Sequence, residues 1–170
     1  MNTTTRATLA VGAALLGALL LGQNGGTAAP TPRAGVTSQG VTETILLTQP
    51  WTGGHGHYLD RGRKGPSWGD VFMGIDVPLI DESTGDRVGS SDAVEFILGG
   101  RHDGTVTSQQ TLRLPRGHIE IDGIIRHTDD PLRMTVIGGT GDFQGVGGRL
   151  VATENTKRKV SILKVELIHP

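Results

Sequence analysis

The sequence predicts an all-β fold: an eight-stranded antiparallel β-barrel with a central cavity. Three observations carry that expectation. Apolar residues alternate with period two in eight separate segments, and no segment beyond residue 40 shows a 3.6-residue stripe. The links between most segments are short and made of turn residues (DESTGD, GGRHDG, PRG, HTDDP, ENT), whereas a parallel crossover needs a dozen residues or more. Glycine, 27 of 170 residues, is spread along the chain without a collagen-like period, as a fold with many turns requires. Antiparallel strands without helices leave bare edges unless the sheet closes on itself. Eight closed strands leave room for side chains or for one small ligand. A two-sheet sandwich is the alternative architecture.

The strands are expected after a leader. Residues 1–28 combine one basic residue, Arg6, with the uncharged run LAVGAALLGALLL and small residues at Gly26 and Ala28, the pattern of a cleaved secretory signal peptide. A flexible linker is expected over 29–40, the barrel domain over 41–170, and the mature protein outside the cell. Without Arg6 the remainder carries 15 basic against 17 acidic residues and no basic patch, which speaks against nucleic acid or, after cleavage, a membrane as partner. There is no cysteine, so thiol catalysis, thiolate metal sites and disulfides are excluded.

In chain order, 41–49 places Val41, Glu43, Ile45 and Leu47 on one face. Residues 50–70 form a long glycine-rich link holding both tryptophans and the only tyrosine, read as a loop that lies over the barrel mouth with Trp51 or Trp68 as anchor, or simply as a solvated loop. In 70–80, Val71, Met73, Ile75, Val77 and Leu79 share a face. The segment 105–115 aligns Val106, Leu112 and Leu114 with Ser108 and Gln110 between them, and 118–127 aligns Ile119, Ile121, Gly123 and Ile125. Further strands are expected over 87–98, 132–137, 148–154 and 157–168.

Residues 140–147 read T-G-x-x-x-G-x-G, the phosphate-loop string of short-chain dehydrogenases. Such a loop binds dinucleotide only between a strand and a helix. The 23 residues after Gly147 alternate like strands and are too few for the rest of a doubly wound sheet, so no nicotinamide cofactor is expected. The glycines instead permit a tight reversal that lets Phe143 fold onto the core, followed by a bulge. His55 and His57 form H-G-H, and His102, His118 and His127 are scattered, so no metal site is expected either.

Three stretches, GDVFMGIDVPLID, GHIEIDG and MTVIGGTGDFQGVGG, resemble in order and spacing the segments of allene oxide cyclases and the related dirigent proteins. The resemblance spans roughly residues 40–168. It implies an eight-stranded barrel, commonly a homotrimer, whose apolar cavity holds a reactive hydrophobic intermediate in one shape while it cyclises or couples, with no cofactor. It implies catalytic roles for Glu43, on the first strand, and for Asp76, which stands where the cyclases carry asparagine. Pro50, Phe72 and Phe96 are the candidate ligand-binding residues. Glu43 reads either as a buried carboxylate of raised pKa or as a solvated residue at a strand end. A lipocalin-like carrier of a hydrophobic ligand is the alternative function, and a solidly filled, inert barrel a third.

Overall fold

The computed structural model describes residues 41–99, 104–126 and 128–170. The expected leader and linker lie outside the described residues, as do His102 and His127. The strands are β1 (Glu43–Pro50), β2 (His55–Leu59), β3 (Val71–Asp81), β4 (Arg87–Ile97), β5 (Thr105–Leu114), β6 (Gly117–Arg126), β7 (Leu132–Gly139), β8 (Gly147–Asn155) and β9 (Val160–Ile168). A single 3₁₀ turn, Gly141–Phe143, separates β7 from β8. Every pairing is antiparallel, and sequential strands are neighbours from β2 to β9. β1 pairs with β9 along its whole length and with β3 through Leu47 and Thr48, which closes β1 and β3–β9 into an eight-stranded barrel.

β2 is an additional strand inside the link expected to be a loop. Where β1 leaves the edge of β3, the chain turns at Gly53 (φ 109°) and returns along the same edge, pairing His55–Leu59 with Val71–Ile75. Four of its five residues are exposed, so it carries no alternating apolar signal. Asp70 pins the rest of the link. Its fully buried carboxylate accepts hydrogen bonds from Tyr58 Oη (2.7 Å), the backbone N–H groups of Arg61 and Ser67 (2.7 Å each) and Ser67 Oγ (3.0 Å).

The single inward face expected for β3 is interrupted. Gly74 pairs with Ala93, but the next pair is Val77 with Ser91, so β3 carries one extra residue there. Asp76 adopts φ 53° at this bulge. The extra residue inverts the alternation: Phe72 and Gly74 face inward before it, Val77 and Leu79 after it.

The two ends of the barrel differ. At the end where β1 begins, Leu47, Leu79, Leu112, Ile119, Ile121, Val136, Val165 and Leu167 are almost wholly buried, and Phe143 from the 3₁₀ turn seals them with no exposed surface. The glycine string makes this seal possible. At Gly141 (φ 61°) a Cβ would lie 2.4 Å from Arg116 O, and at Gly148 (φ 145°) 2.0 Å from Glu166 O. β8 and β9 follow Gly147, so the string opens no helix at which a pyrophosphate could bind.

Candidate functional site

The other end of the barrel is hollow. Alternation brings Gly74 and Val77 of β3, Ala93 of β4, Ser108 of β5, Ala152 of β8 and Ser161 of β9 inward near this end. Small side chains on so many facing strands cannot meet across the axis, and a cavity of about 590 Å³ remains. Ile125, Leu132, Met134, Leu150 and Leu163 give it an apolar lining. The mouth is bordered by Pro50–Gly56, Tyr58 and Phe72, so the β1–β2 connection and β2 itself belong to the site.

The polar groups in the wall are mostly bound to one another. Gln110 Nε2 donates to Ser91 Oγ (2.8 Å) and Gln49 Oε1 (3.3 Å), a partly buried chain linking β5, β4 and β1. Trp51 Nε1 donates to Ser161 Oγ (3.1 Å), holding the indole at the mouth. Ser108 Oγ donates a long bond to Glu95 Oε1 (3.5 Å). Tyr58 is committed to Asp70, and its hydroxyl is pushed well above its usual pKa by burial and by that carboxylate. The Tyr58 bond and the backbone N–H of Arg61 in turn bring Asp70 down to about 2, so it is ionised and the mouth is fixed.

Among the described residues, two carboxylates line this cavity. Glu95 lies on β4 and Glu154 on β8, four strands apart whichever way the eight-membered ring is counted, hence on opposite walls. Glu154 pairs in register with Ser161, and its carboxylate accepts no hydrogen bond from any described residue. A bound molecule thus has a carboxylate on each side, apolar side chains around it and aromatic rings at the mouth.

Of the residues singled out in the sequence, Pro50 and Phe72 line the cavity together. Phe96 follows inward-facing Glu95 and points outward, 43% exposed. Asp76 sits at the β3 bulge, half exposed, 3.3 Å from Arg87. Glu43 is at the sealed end, bound by Arg116 Nη1 (2.5 Å) and His169 Nε2 (2.9 Å). Arg116 also reaches Asp142 (3.2 Å) and lies over the Phe143 ring, 5.0 Å from its centroid. The Arg116 bond lowers the Glu43 pKa, opposite to the rise a buried, unpaired carboxylate would show. Neither Glu43 nor Asp76 lines the cavity. Trp68, the other anchor considered, is 75% exposed.

Glu95 and Glu154 were not singled out, yet the signal exists. Leu150, Ala152 and Glu154 alternate on one face, as do Ser91, Ala93 and Glu95. In both, a carboxylate ends a row of small or apolar inward residues.

No protein-family model matches the chain, and no curated protein does. Solved structures do. A pyocyanin demethylase superposes with a TM-score of 0.64 at 21% identity, covering 74% of this chain and 99% of that one. A pterocarpan synthase dirigent protein gives 0.56 at 16% identity, over 74% of this chain and 80% of that one. The fold is that of the dirigent and cyclase barrels. A Diels-Alderase from Streptomyces koyangensis shares it, with a TM-score of 0.54 at 14% identity over 76% of this chain and 70% of the other. At these identities the likeness is one of fold, and it agrees with the barrel implied by the sequence resemblance.

Proposed function

We propose that this dirigent-type barrel binds a hydrophobic small molecule at its hollow end and steers its cyclisation or coupling without a cofactor. The observation that carries the reading is the cavity of about 590 Å³, lined by apolar side chains with carboxylates on opposite walls. Confinement supplies most of the effect: a flexible intermediate held in one folded shape, away from water, reacts through that shape. Glu95 on one wall and Glu154 on the other give the bound molecule a proton acceptor or donor on either face. Relatives in fold named for a dirigent protein and a Diels-Alderase support this use of such a cavity. The same proposal has the mature protein exported, on the strength of the leader pattern in 1–28, and trimeric, on the strength of the family resemblance.

Native mass spectrometry of the protein from its own producer tests the reading. A small molecule should be retained by the wild type and lost from Ala152→Phe, whose ring occupies the cavity. Incubation of that molecule or its precursor then separates enzyme from carrier. For an enzyme, Glu95→Gln should slow conversion by about 10²-fold. A ligand that is released chemically unchanged under all conditions would instead establish a lipocalin-like carrier.

A further inference from the structure

We propose that the cavity selects a flat, positively charged molecule, a cationic nitrogen heteroaromatic or an aryl amine in its protonated form, with its charge held at Glu154. This rests on the cavity being a ligand site and names the class of ligand it takes. Most polar side chains of the wall are already bound within the protein, His55 and Thr52 at the mouth apart. Gln110 is spent on Ser91 and Gln49, the Trp51 indole on Ser161, and the Tyr58 hydroxyl on Asp70. Glu154 is a half-buried carboxylate in the wall that takes no hydrogen bond from any described residue. No lysine or arginine lines the cavity among the described residues.

The surroundings of Glu154 fit a cationic ring. Its register partner is Ser161, and that serine accepts the hydrogen bond from Trp51, so indole and carboxylate flank the same residue. Trp51, Tyr58 and Phe72 come from the adjoining β1 end, β2 and β3 and make one side of the mouth aromatic. Aromatic faces attract cations, and a carboxylate in a wall partly screened from water attracts them further. The same charge opposes a fatty acyl carboxylate or a phosphate, neither of which finds a lysine or arginine in the described wall.

The test is fluorescence titration of the folded barrel at neutral pH with three tricyclic probes of matched size: proflavine (cationic), 9-anthracenemethanol (neutral) and anthracene-2-sulfonate (anionic). Proflavine should bind at least about tenfold more tightly than the neutral probe, and the sulfonate more weakly than either. Glu154→Gln should remove the advantage of proflavine while leaving the neutral probe within about twofold, which also shows that the variant is folded. Ala152→Phe, which keeps Glu154, should weaken the cationic and the neutral probe alike. Equal or better binding of the neutral or anionic probe, or a proflavine affinity indifferent to Glu154→Gln, would overturn the charge selection while leaving the cavity reading intact. If no probe binds, or Ala152→Phe changes nothing, both fall.

Discussion

Phe143 and its neighbouring glycines show how single residues decide the sealed end. The ring has no exposed surface, so Phe143→Ala should cost ~3–5 kcal/mol, measured by urea unfolding. Gly147 and Gly148 are adjacent but not equivalent. A Cβ at Gly147 meets nothing within 4 Å, whereas at Gly148 it would strike Glu166 O at 2.0 Å. Gly147→Ala should therefore be tolerated and Gly148→Ala should lower the thermal midpoint strongly; equal effects would contradict the turn described. Two carboxylates give the fold a defined acid sensitivity. Asp70 and Glu166 both titrate at about 2, the first through Tyr58 and Arg61, the second through Arg149 and Lys164. Because their folded values lie below the unfolded ~4, their stabilisation is present above that pH and fades as pH falls toward 2. Asp70→Asn should flatten the stability–pH slope between those limits, as read from urea midpoints at a series of pH values.

At the scale of elements, β3 is the instructive strand. Asp76 occupies left-handed backbone at the bulge, where a β-branched residue is strained. Asp76→Val should cost ~1–2 kcal/mol. Asp76→Asn, which tolerates that conformation, should leave stability and ligand affinity near wild type; loss of ligand binding in Asp76→Asn would place this residue in the site after all. All eight barrel strands were legible from period two, because each has one face against the interior and one in solvent. β2 was not, since His55–Leu59 has no buried face to write an alternating pattern. The bulge was equally silent: one extra residue among Val71, Met73, Ile75, Val77 and Leu79 leaves five apolar residues that still look like one face. Ser108 and Gln110 were legible as polar residues on an inward face, and both line the cavity. Glu43 also stood on an apparently apolar face, but which end of the barrel is hollow depends on how all eight strands stagger. Local spacing does not encode that, and so Glu43 fell at the seal while Glu95 and Glu154 fell at the cavity.

The whole molecule divides one closed sheet between two tasks. Large aliphatic residues and Phe143 fill the sealed half, and glycine, alanine and serine at corresponding positions leave the other half open. An unfilled interior forfeits packing that a solid barrel would gain. Ala152→Phe should therefore keep or raise the thermal midpoint while removing ligand binding, the usual opposition between stability and a working cavity. The most direct test of the central claim is equilibrium titration of the wild type and Ala152→Phe with a neutral aromatic probe such as N-phenyl-1-naphthylamine, which has no charge to be selected. Saturable binding to the wild type, weakened at least about tenfold in a stably folded Ala152→Phe, is the expected result for a ligand held inside the barrel. Equal binding to both proteins, or none to the wild type, would contradict it.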